Sequence, residues 1–356
     1  MSKPLRVLVA GCGHMGTSHA RAYHNSPAFE IVGLVSRGRE SRERLSRELG
    51  GYPTYADFDE ALAASSPDVV CIATYPDTHA RYARAALNRG CHLFLEKPVA
   101  STVDEAESIF ALARERNRKV VVGYILQQHP AWNAFVERCQ TLGKPLVMRM
   151  NLNQQSSGSD WLTHKNIMTS LSPIVDCGVH YVEVMCRMTN SRPVRVHAIG
   201  ARLSDEIPDD QYNYGHLHVV FEDGSVGWYE AGWGPMISQT AFFVKDVIGP
   251  RGSVSIKASS STLEQSANVD SHTKTDLLLF HPAELKSDGS FALDDQAIVT
   301  ADEPDHDALC ALEQDYLRRA VTEDLDLESH WRSAVESLRI VIAADISIRE
   351  SRTVFL

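Results

Sequence analysis

Two residues that could move a proton stand four positions apart in the segment Asp176-Cys177-Gly178-Val179-His180. The pattern of residues 173–188 predicts one continuous helix. Residues i and i+4 share a helix face, so Asp176 and His180 are expected to point the same way. A carboxylate can orient an imidazole and stabilise its protonated form, which suits a general acid or base. The pattern leaves open a hydrogen-bonded histidine at a domain interface.

A metal site is a second alternative at this segment, because Glu183 follows His180 by three residues. We expect no metal there, since no other cluster of ligand residues is evident. His216 and His218 are more simply explained as one face of a strand. The seven cysteines are odd in number and form no CxxC pair. They are predicted to be buried thiols of a reducing cytosol rather than a disulfide or zinc framework.

A glycine-rich turn, Gly11-Cys12-Gly13-His14-Met15-Gly16, directly follows the first apolar run and opens a helical pattern. Glycines at this spacing permit a tight turn, close backbone approach to a pyrophosphate, and close packing of helix on strand. The helix N-terminus supplies free N–H groups and partial positive charge for phosphates. The sequence therefore predicts a dinucleotide site formed by Gly11, Gly13, His14, Met15 and Gly16. A merely structural glycine turn is the alternative.

The end of the second predicted strand bears on the choice of cofactor. An NAD site usually places a carboxylate there to accept from the ribose 2′-OH. This strand instead ends in Ser36-Arg37, and no acidic residue follows before Glu40. Ser36 could donate to a 2′-phosphate, and Arg37 could pair with it and stack on adenine. We therefore predict that the cofactor is NADP. The alternative is NAD, in which case Arg37 is simply a solvent-exposed residue at the start of a helix.

A lysine follows the fourth predicted strand, in Leu95-Glu96-Lys97-Pro98. Ligands of parallel sheets bind at the carboxyl ends of the strands, which places Lys97 beside the expected nicotinamide position. A lysine near a cationic ring and with limited solvent can donate to a substrate oxygen or exchange a proton with it. Pro98 fixes the turn that directs the side chain. The alternative is a surface lysine without a chemical role.

The elements that must position these residues alternate, in the first third of the chain, between short apolar runs and helical patterns. Such runs specify a parallel sheet covered by helices on both faces. The predicted strands are Leu5–Ala10, Ile31–Val35, Val69–Ala73, His92–Leu95 and Lys119–Val122, and the predicted helices are His14–Asn25, Glu40–Leu49, Thr78–Asn88 and Val103–Asn117. Residues 1–124 are therefore predicted to form an α/β Rossmann domain with a doubly wound parallel sheet.

The pattern changes after Gly123, and residues 125–356 are predicted to form a second, α/β domain with an open, mostly antiparallel sheet. The turn at residues 222–225 is a hairpin signal. Predicted elements are helices Pro130–Leu142 and Pro173–Met188, strands Pro145–Leu152, Val194–Leu203, Gly215–Phe221, Val226–Gly232, Phe242–Ile248 and Ser253–Ile256, and helices Asp307–Thr322 and Glu328–Ile348. Residues Gln154–Asp160 are predicted as a loop, and Ser259–Thr275 as a mobile loop or edge.

Charge and hydropathy exclude several classes of function. The 35 Lys and Arg against 46 Asp and Glu give a formal charge of −11, which opposes binding to nucleic acid or to an anionic membrane. No apolar run approaches the roughly 18 residues of a membrane-spanning helix. The apolar run that ends at Gly11 is too short for a signal-peptide core. We predict a cytoplasmic protein.

Taken in order, GCGHMG, the Pro76–His79 turn, Glu96-Lys97-Pro98 and DCGVH at 176–180 resemble the glucose-fructose oxidoreductase/inositol dehydrogenase (Gfo/Idh/MocA) family over nearly the whole chain. The resemblance implies an NAD(P)-dependent dehydrogenase or reductase acting on a sugar, cyclitol or similar polyol. It implies that Lys97, Asp176 and His180 occupy the catalytic positions. It also implies a cofactor site that includes Thr74, Tyr75, His79, Glu96 and Lys97, and an open sheet that often mediates dimers or tetramers.

Three segments depart from the family pattern. Residues 123–130 lack the usual asparagine and arginine before the proline, and residues 169–173 replace a glycine-rich segment. These two differences leave the identity of the substrate open. Glu183 stands where the family commonly has aspartate, which preserves the charge.

The function expected from these residues is hydride transfer between NADP and a carbinol or carbonyl carbon of a sugar-like substrate. In the oxidative direction His180 takes the hydroxyl proton, Lys97 holds the same oxygen, and Asp176 orients the imidazole. Further candidate substrate contacts are Tyr124, Trp161, Lys165 and Asn166, although Trp161 is equally compatible with a core position. The alternatives are a non-catalytic NADP-binding sensor or scaffold, and an interaction protein that uses its sheet for assembly.

Aromatic residues in the strand-rich segment suggest self-association. Phe221, Trp228, Tyr229 and Trp233 are more than one sheet face is expected to bury against helices. We therefore predict that the outer face of the sheet packs against another copy, in a homodimer or homotetramer of closed symmetry.

Overall fold

The computed structural model describes residues 3–238, 244–257, 277–300 and 303–356. The chain divides into two compact units, and each is described by itself. The first contains residues 1–125 and 306–335, and the second contains residues 126–305 and 336–356. Within the described ranges, no helix is both long enough and apolar enough to cross a membrane.

The first unit is built on a six-stranded parallel sheet. Its strands are β1 Leu5–Ala10, β2 Phe29–Val35, β3 Thr54–Tyr55, β4 Val69–Ile72, β5 His92–Leu95 and β6 Val120–Val122, in the order β3-β2-β1-β4-β5-β6. Its helices are α1 His14–Asn25, α2 Arg39–Glu48, α3 Phe58–Ser65, α4 Pro76–Asn88 and α5 Val103–Glu115. This strand order is that of dinucleotide-binding sheets. The prediction of a Rossmann doubly wound sheet is confirmed.

Burial explains why these short runs become strands. The last four residues of β1 and all four residues of β4 are buried, as expected for strands covered by helices on both faces. Helices α3 and α5 begin at side-chain caps: Asp57 accepts from the backbone N–H of Glu60, and Thr102 accepts from that of Glu105. Helix α1 begins at Gly13 with no such cap. Its first N–H groups therefore stay available at the glycine-rich turn.

Two late segments complete the first unit. Helix α10 spans His306–Thr322, and the unit also contains the start of α11, Glu328–Glu350. Trp331 Nε1 donates to the carbonyl of Val120 at 2.7 Å, and the N–H of Val122 donates to His330 Nε2 at 2.8 Å. The predicted boundary places residues 306–335 in the second domain, 125–356. Nothing in the sequence of these residues indicates contacts with residues about 200 positions earlier. That boundary stays a prediction.

The second unit contains a nine-stranded sheet. Its strands are β7 Val147–Gln155, β8 Pro193–Ala201, β9 Tyr214–Phe221, β10 Val226–Gly234, β11 Lys245–Gly249, β12 Gly252–Lys257, β13 Leu277–Pro282, β14 Gln296–Val299 and β15 Val354–Phe355, in the order β14-β13-β12-β11-β7-β10-β9-β8-β15. Among the described strands of this sheet only β7 and β10 pair in parallel, with Val147 opposite Val226. The prediction of a mostly antiparallel sheet is confirmed. The helices of this unit are α6 Pro130–Gln140, α7 Gly158–Ile167, α8 Pro173–Asp176 and α9 Gly178–Thr189, with the remainder of α11.

The structure corrects the prediction of one continuous helix over 173–188. Asp176 ends α8 and Gly178 begins α9, so Asp176 and His180 belong to different helices. The break is one residue long. Cys177 keeps right-handed helical angles (φ −89°, ψ −38°), so the apolar spacing continues across it. A break of this kind leaves no trace in the periodicity.

Other local expectations also change. The predicted loop Gln154–Asp160 is instead the end of β7 followed by the start of α7 at Gly158. The pattern did not reveal α3, β3, β13, β14 or β15. The expected mobile segment Ser259–Thr275 and the start of the predicted strand Phe242–Ile248 lie outside the described residues. All seven cysteines are buried and free, as predicted.

Candidate active site

The glycine-rich turn has the geometry that its residue types require. Gly11 has φ +109°, and a Cβ there would lie 2.1 Å from the carbonyl oxygen of Ala73. A Cβ on Gly16 would lie 2.0 Å from the carbonyl oxygen of Gly11. At Gly13, by contrast, a Cβ would meet no described atom within 4 Å. Gly11 and Gly16 are therefore needed for packing, whereas Gly13 faces open space at the start of α1.

The segment after β2 is organised by an arginine that the sequence analysis did not select. Arg42 Nη1 donates to the carbonyls of Ser36 at 2.9 Å and Arg37 at 3.1 Å. The half-buried Ser36 hydroxyl lies 3.2 Å from the Ser41 hydroxyl, and the Arg37 side chain is exposed. No carboxylate follows directly on this strand end. The sequence signal that was missed is the spacing of Arg42, one helical turn into α2.

The turn after β4 is held by hydrogen bonds among its own side chains. Thr74 and Thr78 hydroxyls lie 2.6 Å apart, and Thr78 Oγ1 donates to the carbonyl of Tyr75 at 2.8 Å. The His79 ring is fully buried between two carbonyls, with Nδ1 2.9 Å from Pro98 O and Nε2 3.0 Å from Thr74 O. Burial lowers the pKa of His79. These contacts give His79 a positioning role, and contact with a cofactor stays a prediction.

Lys97 is held half-buried directly after β5 by the residue before it. Its backbone N–H donates to Glu96 Oε2 at 3.1 Å. Glu96 Oε1 accepts from His19 Nε2 at 2.7 Å, so the carboxylate is turned into the interior of the unit. Burial alone would raise the pKa of Glu96, but the His19 hydrogen bond and the neighbouring Lys97 charge lower it. His19, three residues after the last glycine of the turn, is a site residue that the sequence analysis missed.

In the second unit, Asp176 and His180 stand on either side of the break between α8 and α9. His180 is buried and Asp176 half-buried. Between them Cys177 lies 3.6 Å from Asp176 Oδ2 and 3.5 Å from Gln154 Oε1. Gln154 also accepts from Trp233 Nε1 at 2.8 Å. Polar side chains of β7 and β10 therefore connect the break between α8 and α9 to the sheet.

His164 is a further residue that the sequence analysis overlooked. It lies on α7, between the predicted contacts Trp161 and Lys165. Its ring stacks on Trp233 at a centroid distance of 4.4 Å and an angle of 7°. Burial lowers the pKa of His164 to about 4, and the charge of Asp176 opposes that shift. His164 is therefore a neutral, fixed imidazole within electrostatic reach of Asp176.

The predicted substrate contacts fall in different surroundings. Trp161 Nε1 donates to Glu206 Oε1 at 3.2 Å, and Lys165 Nζ lies 2.6 Å from Glu206 Oε2, so both are drawn to one carboxylate. Asn166 is exposed at the end of α7. Tyr124 belongs to the first unit and is fully buried near His330. Their contact with a substrate stays a prediction.

The start of α8 and the middle of α9 are fixed by buried polar contacts. Ser172 caps α8 and donates to Asp345 Oδ1 at 2.8 Å, and Tyr212 donates to the same oxygen. Glu183, which is fully buried, accepts from Gln127 Nε2 at 2.7 Å. Gln127 lies in the segment that departs from the family pattern. These contacts hold the two helices that carry Asp176 and His180.

A buried lysine lies under α9. Lys245, on β11, is 2% exposed, and its Nζ donates to the carbonyl of Asn151. The same Nζ lies 4.8 Å from the centre of the Tyr181 ring, which stacks on Tyr229 at 5.1 Å. Burial lowers the pKa of Lys245 to about 7. The sequence of residues 242–248 predicts only a strand and gives no sign that Lys245 is buried.

The aromatic residues of the sheet do not lie where the sequence analysis expected them. Phe221, Tyr229 and Trp233 are fully buried on the covered face, and only Trp228 of the four is partly exposed. The exposed face carries one aliphatic row next to the row of Trp228, Arg149 and Asp246. Val147, Val226 and Ile248 pair across β10, β7 and β11 and are 38%, 37% and 40% exposed. The count of aromatic residues therefore does not support an exposed aromatic face, and self-association stays a prediction.

Comparison with known families gives the decisive match. The model "Oxidoreductase family, NAD-binding Rossmann fold" matches residues 5–124, and the model "GFO/IDH/MocA C-terminal domain" matches residues 138–255. Together they cover more than half of the chain in the expected order. The chain belongs to the Gfo/Idh/MocA oxidoreductase family. This confirms the resemblance carried by the four motifs.

Relatives in the family act on varied compounds. The chain is 26% identical over 170 residues to 4-carboxy-2-hydroxymuconate-6-semialdehyde dehydrogenase of Sphingobium, covering 45% of this chain and 54% of that protein. It is 26% identical over 196 residues to UDP-N-acetylglucosamine 3-dehydrogenase of Acidithiobacillus ferrooxidans, covering 55% and 58%. The matches thus span only a little over half the length of these relatives.

One solved structure extends the fold comparison to nearly the whole chain. It is scyllo-inositol dehydrogenase of Lactobacillus casei with bound NAD(H) and scyllo-inositol. The TM-score is 0.76 at 18% identity, and the match covers 99% of each chain. At this identity the likeness is one of fold.

Proposed function

We propose that this protein is an NAD(P)-dependent dehydrogenase or reductase. It would transfer a hydride between a nicotinamide cofactor and a carbinol or carbonyl carbon of a sugar, cyclitol or related polyol. The observation that carries the proposal is the position of Lys97. It directly follows β5, at the carboxyl edge of the same parallel sheet whose first strand opens the glycine-rich turn. Ligands of such sheets bind along that edge.

The residues of the turn fit a dinucleotide. The open space at Gly13 admits a pyrophosphate against the backbone, because no Cβ stands there. Helix α1 starts with no side-chain cap and no acidic residue in its first turn. Its N–H groups and partial positive charge are therefore available to phosphate oxygens. Gly11, His14, Met15 and Gly16 would shape the remainder of this cradle.

The nicotinamide, when bound, supplies the hydride chemistry. The chain's own residues hold and move the proton of the reacting hydroxyl. We assign Lys97 to hold the substrate oxygen and His180 to take or return its proton. Asp176 orients the imidazole from across the break at Cys177. His164, neutral and stacked on Trp233, lies within electrostatic reach of that carboxylate.

A screen of polyols, aldoses, ketoses and cyclitols with NAD and NADP tests this function, read by nicotinamide absorbance. We expect turnover with at least one substrate class. The matched controls are Lys97→Ala and His180→Ala, which should bind cofactor and lose turnover. Tight cofactor binding without turnover on any class would support the alternative, a non-catalytic sensor or scaffold.

For the cofactor we propose NADP in preference to NAD. Ser36 and the exposed Arg37 follow β2 directly, and Arg42 holds both of their carbonyls. A 2′-phosphate would therefore meet the Arg37 guanidinium and the Ser36 hydroxyl on a turn that Arg42 holds, whereas no carboxylate directly follows β2 to accept from an NAD ribose. Titration of both cofactors tests the preference, and equal or tighter NAD binding would refute it.

We also propose that the outer face of the sheet forms a homodimer or homotetramer. The support is the apolar row Val147, Val226 and Ile248, which runs across three adjacent strands in the second unit. Exposed apolar rows of this kind commonly mark interfaces. The seven buried free cysteines support a reducing compartment, and we propose the cytoplasm.

A further inference from the structure

A cluster of ligand-type side chains lies inside the first unit, behind the glycine-rich turn. Cys310, Glu313 and Gln314 occupy one face of α10, at spacings of three and four residues. His19, on α1, faces them. One ligand atom each from His19, Cys310 and Glu313 lies within 4.8 Å of the others, and all three residues are buried. The active-site assignment uses none of the residues on α10.

Two residues of this cluster, Glu313 and Gln314, carry polar atoms without a hydrogen-bond partner among the described residues, whereas Cys310 Sγ lies 3.7 Å from His306 Nε2. Glu313 is 2% exposed, and neither of its carboxyl oxygens has a hydrogen-bond partner among the described residues. Gln314 Oε1 is in the same condition. A buried carboxyl group without partners is costly, because it loses its hydration and gains nothing in return. Protonation alone would leave its O–H without an acceptor.

His19 has the orientation that a metal-binding histidine usually has. Gln314 Nε2 donates to Nδ1 at 3.0 Å, so Nδ1 carries the lone pair and Nε2 carries the proton. Nε2 then donates to Glu96 Oε1 at 2.7 Å. A carboxylate behind the imidazole fixes the tautomer and raises its basicity. A half-turn of the Gln314 amide would direct Oε1 to the side that Nδ1 faces.

We propose that His19 Nδ1, Cys310 Sγ and Glu313 bind one zinc ion, with Gln314 Oε1 or a water as the fourth ligand. An imidazole, a thiolate and a carboxylate form a typical tetrahedral zinc set. Ligand atoms of such a site lie roughly 3.3–3.8 Å apart, given metal–ligand distances of about 2.0–2.3 Å. The ligand atoms observed within 4.8 Å of one another would move closer together on binding.

Charge balance explains why a divalent ion suits the cluster. Binding deprotonates Cys310, and its thiolate and the Glu313 carboxylate together carry two negative charges that offset the charge of the ion. The ion also supplies a partner for one oxygen of the Glu313 carboxylate and, when Gln314 Oε1 is the fourth ligand, for that atom as well. It would clip α10 to α1 next to the turn, where His14 and His306 rings already lie 5.8 Å apart. We assign the site a structural role, because its three protein ligands are all buried.

Metal analysis of the full chain tests the site. Protein freed of loosely bound metal by gel filtration should retain one zinc per chain. After removal of zinc, Co²⁺ should restore stoichiometric binding, with the thiolate-to-cobalt charge-transfer band and the ligand-field bands of a tetrahedral site. Cys310→Ser should abolish the charge-transfer band, and Glu313→Gln should weaken Co²⁺ binding at least tenfold.

Cys91→Ser is the matched control, because Cys91 is also buried in the first unit but donates to Pro67 O at 3.2 Å, away from the cluster. It should bind cobalt as the unmodified chain does. If a cluster variant fails to fold, the unmodified chain still decides. Its thermal midpoint should rise on adding Zn²⁺ to the metal-free form. Failure of the unmodified metal-free chain to take up Co²⁺ at micromolar concentration, or equal uptake by Cys310→Ser, overturns the proposal.

Discussion

Lys245→Met is the substitution whose effect follows most directly from the geometry. The lysine is buried beneath Tyr181 on the helix that carries His180, and burial lowers its pKa from 10.5 to about 7. Its ammonium group is therefore costly to bury in the charged form. Methionine keeps a similar length without the charge. The substitution should remove a pH-dependent cost from the second unit.

The sign and size follow from linkage. Between pH 7 and 10.5 the unfolded chain binds a proton that the folded chain does not, so stability rises with pH across this window. Below pH 7 both states are protonated, and the full cost is present. A shift of about 3.5 units corresponds to roughly 5 kcal/mol. The Asn151 carbonyl and the Tyr181 ring favour the charged form, so we expect ~3–5 kcal/mol.

Unfolding of the variant and the unmodified chain between pH 6 and 10.5 measures this difference. Loss of the donor to Asn151 adds a cost that does not depend on pH, so the slope is the test rather than the value at one pH. The stability of Lys245→Met relative to the unmodified chain should be most favourable at pH 6 and decline towards pH 10.5. Lys257→Met, at an exposed lysine on β12, is the control and should show no slope. A pH-independent difference for Lys245→Met would refute the reasoning.

Three further predictions concern the proposed function. Lys97→Ala and His180→Ala should each lower turnover by roughly 10²–10⁴-fold with little change in cofactor affinity, and Asp176→Asn should cost less, as single-turnover kinetics at saturating cofactor would show. Arg37→Asp should weaken NADP binding about tenfold or more, because a charge-assisted contact contributes roughly 1.5–3 kcal/mol, and unchanged affinity in a titration would count against the assignment. Ile248→Glu should reduce the mass seen by light scattering to that of a monomer, whereas a monomeric unmodified chain would reject assembly altogether.

The elements that the sequence predicted best are those whose signal is local. A few neighbouring residues are enough to predict the buried strands β1, β4 and β5 and the glycine-rich turn. Strand burial and positive φ restrict the residue types at these positions directly. The order of the motifs then gave the family. Lys97 could be placed at a strand end for the same reason.

What the sequence did not predict depends on contacts between distant residues. His19 meets Glu96 and Gln314, which lie 77 and 295 positions further along the chain. Side chains of β10 alternate between the two faces of the sheet, and Tyr229 and Trp233 lie on the face that α8 and α9 cover. The break at Cys177 keeps helical angles and so leaves the apolar period intact. Such features are set by packing rather than by local pattern.

Direct transfer of an isotope tests the central claim most sharply. A substrate found in the screen would be deuterated at the reacting carbinol carbon and oxidised in ordinary water. The account predicts that deuterium appears on C4 of the reduced nicotinamide, one atom for each product formed, and that Lys97→Ala and His180→Ala slow this transfer. Product formation without deuterium on the nicotinamide would contradict it.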